Sequence, residues 1–188
     1  MITEDKLLDF PPSEKDDFYS DDSLYNINSW GADLSFRELI SQYGEGDLIK
    51  PELQRNYIWE KSEASRFIES LLLGLPVPSI FLAKTPEHKM LIVDGYQRIM
   101  TVFDYVKGIF SKDGKVFKLT NTERINKRWR GKAFSELSST EQRIILTTTI
   151  HCIIFVQVEP KDDDTSVLLQ TEMEKQAVRI RHFLMPPR

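Results

Sequence analysis

Apolar positions in this chain recur with two periods. Ser35-Phe36-Arg37-Glu38 is a capping-box pattern, and Phe36, Leu39, Ile40 and Tyr43 follow at helical spacing. A helix is therefore predicted over about 35–43, ended by Gly44 and Gly46. Residues 47–59 read as extended or irregular, with Pro51 early and Tyr57 and Trp59 late. Ser62 is placed to cap a second helix with an apolar face of Ala64, Phe67, Ile68, Leu71 and Leu72, stopped by Gly74. Pro76 and Pro78 then bracket the entry to a strand over Ser79–Ala83. A turn at Thr85-Pro86-Glu87-His88 leads to a second strand over Met90–Val93, and the two are expected to pair as a hairpin.

A helix begins again at Asp94, where Ile99, Val102, Phe103 and Val106 recur at i, i+3, i+4 and i+7 before Gly108. Asp113-Gly114 suggests a short hairpin. Ser138 and Glu141 form a capping box for a helix near 138–147. The β-branched run Thr149–Val158 reads as a buried strand ended by Pro160. Strands and helices mixed in one unit give the class α+β. Residues 1–25, acidic and broken by Pro11-Pro12, read as a mobile arm. Residues 26–160 read as the domain, and 161–188 as a weakly amphipathic helical extension.

Composition narrows the classes. The chain has 188 residues, 40% of them hydrophobic, enough for one sizeable core. No apolar run reaches the length of a membrane span, and Met-Ile-Thr-Glu-Asp-Lys lacks the layout of a secretory signal. Cys152 is the single cysteine and sits in an apolar run. It is read as a small buried hydrophobe in a reducing cytoplasm. The net charge of −4 carries no global signature of nucleic-acid binding, but the charge is unevenly placed. Residues 1–22 hold eight acids and two lysines. Residues 111–132 hold eight bases, including Lys127, Arg128, Arg130 and Lys132, and two acids. Phe117 and Trp129 interleave with that basic stretch. It reads either as a contact for a phosphate backbone or as a solvated loop.

The candidate chemistry lies in Val93-Asp94-Gly95-Tyr96-Gln97-Arg98, read as strand, tight turn and helix start. The first turn of a helix carries unpaired N–H groups and the positive end of the dipole, which together suit an anion. Gly95 lets a ligand approach the backbone, and Arg98 adds a planar fork suited to phosphate. Asp94 and Gln97 could hold a metal or position a water. The plainer reading is a helix capped by Asp94, with Arg98 in a surface ion pair. A second cluster, Gln54-Arg55-Asn56-Tyr57-Ile58-Trp59, could stack and bond a base, or pack its aromatics into the core. The chain has no P-loop, no Gly-x-Gly-x-x-Gly, no zinc-spaced cysteines or histidines, and no nucleophile elbow. His88, His151 and His182 lie far apart, and His151 reads as structural.

These clusters together resemble a family. Leu53-Gln54-Arg55-Asn56-Tyr57-Ile58-Trp59, the run from Phe67 to Pro78, Val93-Asp94-Gly95-Tyr96-Gln97-Arg98 and the segment from Trp129 to Leu137 match it in order and spacing, across about Ser29 to Glu159. The family is the N-terminal domain of GmrSD-type, modification-dependent restriction systems. The resemblance implies a ParB/sulfiredoxin-like fold, a superfamily that binds nucleotide phosphates through a Gly-x-x-Arg turn at a helix start. Gly95-Tyr96-Gln97-Arg98 is similar to that turn. The resemblance also implies an NTP of unknown base with Mg²⁺, DNA, and a partner nuclease as ligands and partners. Oligomeric state is left open, a homo-oligomer included. Arg98, Gly95 and Tyr96 would hold phosphates, Asp94 would carry Mg²⁺ or orient the attacking water, and Gln97 would assist positioning. Gln54 and Arg55 would close the site, with Tyr57 shaping the pocket.

The departures are specific. Tyr96 replaces the first Gln of the usual Asp-Gly-Gln-Gln-Arg, and Asn56 stands where Pro is usual. Binding is thus implied more firmly than hydrolysis. The family's Phe-x-x-Ile-Asn-Thr is not reproduced at Val167–Glu172, and no His-Asn-His nuclease motif precedes Arg188. The expectation is a stand-alone, truncated or degenerate member that does not cut DNA by itself. A nucleotide- or DNA-sensing module without turnover is the alternative.

Overall fold

The computed structural model describes residues 27–50 and 57–157. The acidic segment 1–25, Gln54, Arg55 and the extension 161–188 lie outside the described residues. The order is β1 (Ile27–Ser35), α1 (Phe36–Glu45), β2 (Leu48–Ile49), α2 (Lys61–Leu72), β3 (Ile80–Lys84), β4 (Met90–Asp94), α3 (Tyr96–Lys107), β5 (Ile109–Phe110), β6 (Lys115–Val116), α4 (Ser139–Thr147) and β7 (Thr149–Gln157), with a turn of 3-10 helix at Phe134–Glu136 before α4. Five strands form one mixed sheet in the order β1-β7-β3-β4-β2, and β5 and β6 make a separate small hairpin. The α+β class holds. β3 and β4 pair antiparallel, as their sequence predicts, while β3–β7 and β2–β4 are parallel.

The helices follow their sequence signals. Ser35 caps α1 with a capping box in which Ser35 N donates to Glu38 Oε2 at 2.7 Å. Gly46, at φ +81°, closes it in the left-handed conformation that non-glycine residues rarely adopt. Ser138 and Glu141 form the predicted box at α4. Two boundaries differ. The N-cap of α2 is Glu60, two residues before Ser62, and Glu63 reaches back to accept from Glu60 N at 2.9 Å. The N-cap of α3 is Gly95, with no side-chain cap bond, so Asp94 does not cap that helix.

β1 had no expectation at all. Its residues Asn28 to Gly31 are exposed, so the strand lacks the apolar alternation that marks a half-buried strand. It runs the full length of β7 in antiparallel register, Ile27 opposite Gln157 and Ser35 opposite Thr149.

All four helices pack on one face of the sheet. Phe36 and Leu39 from α1, Ile68 and Leu71 from α2, Ile99 and Val102 from α3, and Ile145 from α4 join Ile80, Leu82, Ile92 and Cys152 in the main core. Cys152 is fully buried, and that burial pushes its thiol up to about 11. Phe117 and Trp129 also belong to this core. The aromatic half of the expected nucleic-acid stretch is therefore corrected: both rings are buried at 0% and 5% exposure and offer no stacking surface. Alternation along the strands sends Ala83, Leu91, Val93 and Phe155 to the opposite face as a second apolar cluster.

Candidate functional site

β4 delivers Asp94 to the edge of the helical layer, Gly95 turns the chain, and α3 starts at Tyr96. The turn requires glycine twice over. Gly95 sits at φ +102°, and a Cβ there would lie 2.2 Å from Ile80 Cγ2. β3 thus presses directly on the turn. The N-cap of α3 makes no side-chain cap bond, and the first turn of the helix holds no acidic residue.

Arg98 does not sit in a surface ion pair. Its Nη2 donates to Asp94 Oδ2 at 2.6 Å, with the two side chains 12% and 15% exposed. Its Nη1 donates to the carbonyls of Pro78 at 2.5 Å and Ser79 at 3.3 Å. Burial pulls the guanidinium below its ordinary value and Asp94 opposes that shift. A guanidinium stays charged throughout the working range. Arg98 is therefore a latch between the start of β3 and the first turn of α3. These three bonds use three of the five donors that a guanidinium carries.

Gln97 anchors the segment that carries the second cluster. Its Oε1 accepts from Ile58 N at 3.0 Å and Trp59 N at 3.2 Å. Tyr57 adds a bond between its hydroxyl and Thr101 Oγ1 at 2.7 Å, and Thr101 in turn donates to Gln97 O at 2.7 Å. Burial pushes the Tyr57 phenol far above its usual range. Trp59 is half-buried, edge-on to Phe67 at 5.6 Å between ring centroids. The structure thus ties Tyr57 to Gln97 through Thr101, with its ring edge-on to Phe110 at 5.5 Å between centroids. Gln54 and Arg55 lie outside the described residues, directly before this anchored segment.

Tyr96 is half-buried against Tyr43, at 6.4 Å between centroids, and burial raises its phenol as well. Lys50 Nζ lies 5.2 Å from the Tyr96 ring centroid, a cation–π distance. Sequence reasoning missed Lys50, Thr101 and the Pro78 and Ser79 carbonyls just before β3. A single Lys after a two-residue strand and a Thr inside a helix carry no local pattern, and the Pro78–Arg98 contact spans 20 residues.

Among the described residues no group of three or more His, Cys, Asp or Glu could hold a metal ion. At this turn Asp94 supplies a carboxylate, and it is already paired with Arg98. That donor set does not fit an all-protein cage. It fits Mg²⁺, which is commonly held by one or two carboxylates together with substrate phosphates.

The basic stretch is only partly outward. Lys127 is exposed. Arg128 Nε pairs with Glu141 Oε1 at 2.7 Å while its side chain stays 67% exposed. Arg130 is half-buried with Nε donating to Ile125 O at 2.5 Å, and Lys132 is half-buried. His151, predicted structural, is on the surface of the sheet with Nδ1 2.8 Å from Asp33 Oδ1. Its ring lies over Gly31, where a Cβ would meet it at 2.7 Å.

Comparison with known proteins adds a family. Residues 36–180 match the family model described as GmrSD restriction endonuclease, N-terminal domain. No curated protein and no solved structure matches the chain. Among the described residues no helix is long and apolar enough to cross a membrane.

Proposed function

The chain belongs to the GmrSD restriction endonuclease N-terminal domain family, and from that premise we propose that it is the NTP-binding domain of its restriction system, gating DNA cleavage by an associated nuclease. The ParB/sulfiredoxin-like reading of its sheet goes with the same proposal. The observation that carries it is the Gly95 turn: a left-handed glycine pressed against Ile80, opening a helix with no acid in its first turn and with Arg98 held beside it by Asp94. Phosphate oxygens would lie against the first-turn amides of α3, where the helix dipole favours negative charge. Arg98, already oriented by Asp94 and the Pro78 and Ser79 carbonyls, would lend its remaining donors and its charge. Lys50 adds positive charge from the Tyr43 side. Mg²⁺, when bound, would neutralise phosphate charge, with Asp94 as its protein ligand. Gln54, Arg55 and Tyr57 would close the site on the nucleotide.

A second reading, binding without turnover, draws on a separate observation. Gln97 Oε1 already accepts two backbone amides, and Tyr96 replaces a glutamine with a half-buried phenol. On this second reading the residues at the two glutamine positions of the motif would hold structure and would not position a water for hydrolysis. On this reading nucleotide occupancy is the signal, and the partner does the chemistry.

Calorimetric titration with GTP, ATP and CTP in Mg²⁺, with phosphate release followed in the same samples, tests both. Binding that weakens about tenfold or more in Arg98→Ala, with the variant's folding checked by circular dichroism, is the expected result, since charge-assisted bonds contribute about 1.5–3 kcal/mol. Release separates the first reading from the second. No binding of any of the three nucleotides contradicts both.

A further inference from the structure

The peptide that joins Ile58 to Trp59 is held at both of its polar groups. Its N–H, on Trp59, donates to Gln97 Oε1 at 3.2 Å. Its C=O, on Ile58, accepts from Lys112 Nζ at 3.0 Å. A trans peptide is a rigid plane whose N–H and C=O point in opposite directions. Gln97 lies in the first turn of α3, and Lys112 lies between β5 and β6 in the small hairpin. The phosphate turn and the hairpin therefore grip one plane from its two edges.

The neighbouring residues repeat the arrangement. Tyr57 reaches α3 through its hydroxyl, at Thr101, and the hairpin through its ring, at Phe110. Lys112 also pairs with Glu60, the N-cap of α2. The root of the lysine is fixed as well. The amide of Ser111 donates to Asp104 Oδ2 at 2.7 Å, and Asp104, on α3, is only 3% exposed. Lys61 of α2 donates to Val116 O at 3.5 Å and lies 3.8 Å from Asp113 Oδ2. The hairpin is thus tied to both α2 and α3.

We propose that Lys112 is a positioning residue for the nucleotide site, acting on Gln97 through the Ile58–Trp59 peptide. The role rests on the reading of the α3 turn as a phosphate site. In sequence Lys112 is one of the eight bases of residues 111–132, a stretch suited to a phosphate backbone. Its ammonium instead meets the chain's own carbonyl and carboxylate. The pair with Glu60 is exposed, and such pairs contribute little. The carbonyl bond differs, because a charged donor binds its acceptor more strongly than a neutral one. It also polarises the peptide whose N–H meets Gln97. Loss of the ammonium therefore loosens the Gln97 bond at the other edge, and with it the segment that directly follows Gln54 and Arg55.

Amide exchange and nucleotide titration of the full chain test this together. Lys112→Met keeps the alkyl stem and removes the ammonium. It is expected to speed exchange of the Trp59 amide by about fivefold or more, while the amides of β3, β4 and β7 keep their rates. Nucleotide affinity is expected to fall about threefold to tenfold, and Lys112→Arg to restore most of it. Lys115→Met makes the same change of charge on the same hairpin and is expected to alter neither quantity. In a Gln97→Ala background, Lys112→Met is expected to have no further effect on affinity, since both act through one peptide. Unchanged Trp59 exchange in Lys112→Met overturns the proposal. So do additive losses in the double variant, and so does an equal loss of affinity in Lys115→Met, which would leave only long-range charge. Each of these outcomes leaves nucleotide binding by the parent chain intact. A parent chain that binds no GTP, ATP or CTP brings down the phosphate reading, and the positioning role with it. Should Lys112→Met fail to fold, Lys112→Gln is read in the same way.

Discussion

Gln97 shows how a residue's chemistry and its place can diverge. As a planar polar side chain in the first turn of α3 it is a reasonable candidate for positioning a water. Its oxygen instead gathers the amides of Ile58 and Trp59 and so holds the segment that leads back to Gln54 and Arg55. Gln97→Ala removes the acceptor for both. Trp59 N is half-buried, so its loss is expected to cost about 1 kcal/mol of stability, measurable by denaturant titration. Nucleotide affinity is expected to fall as well, through a loosened segment, whereas Gln97→Glu keeps an acceptor and is expected to restore much of the stability. Local spacing shows Asp94 and Arg98 as an i, i+4 pair. It does not show that β3 presses on Gly95 or that the Pro78 and Ser79 carbonyls capture the guanidinium, because those contacts depend on how β3 and β4 pair.

At the scale of the element, what was legible is what repeats or caps. α1, α3 and α4 announce themselves by apolar stripes and by Ser35-Glu38, Gly108 and Ser138-Glu141. The central strands β3, β4 and β7 show as short apolar runs between turn residues. β1 was illegible because an exposed edge strand has little to bury, and β2, with two residues, is too short for any period. α4 carries a testable charge device. Glu141 Oε1 accepts from the Trp129 indole at 2.8 Å and pairs with Arg128, while Oε2 accepts from the Ser138 amide and hydroxyl at 2.9 and 2.8 Å. The indole bond is the largest cause holding its carboxyl down at about 2, against an ordinary 4.5, with burial opposing. A carboxyl depressed in the folded state contributes stability that is present above its unfolded value. That contribution is lost as pH falls through the folded one. Stability is therefore expected to decline between about pH 4.5 and pH 2 through this group, and Glu141→Gln is expected to flatten that limb in thermal melts taken across acid pH.

For the whole molecule, charge and topology set what the domain can touch. The net charge of −4 argues against strong general binding to DNA, and the aromatics of the basic stretch are committed to the core. Lys112, Lys115, Lys118, Arg124, Lys127 and Arg128 remain outward, and Lys112, Lys118 and Arg128 are paired with Glu60, Glu136 and Glu141. Any DNA contact through this stretch is expected to be weak and steeply salt-dependent, since each phosphate neutralised adds about −0.9 to the slope of log K against log salt. Lys127→Ala is expected to lower the steepness by about one phosphate's share, read by fluorescence anisotropy across salt. The α+β class was legible because helical and strand periods alternate along the chain. The strand order β1-β7-β3-β4-β2 was not, because the last strand inserts between the first and the third, a pairing no local window contains. That insertion nonetheless matters to the site, since β7 flanks β3, β3 supplies the Ile80 contact, and the two residues leading into β3 supply the carbonyls behind Arg98.

The central claim is that phosphates bind at the start of α3, and amide NMR of the labelled chain tests it most directly. Addition of nucleoside triphosphate with Mg²⁺ is predicted to move the Gly95, Tyr96 and Gln97 amides more than any others, with the Arg98 side-chain signal following. Saturable shifts centred elsewhere, or no shifts with any of GTP, ATP and CTP, would contradict the account.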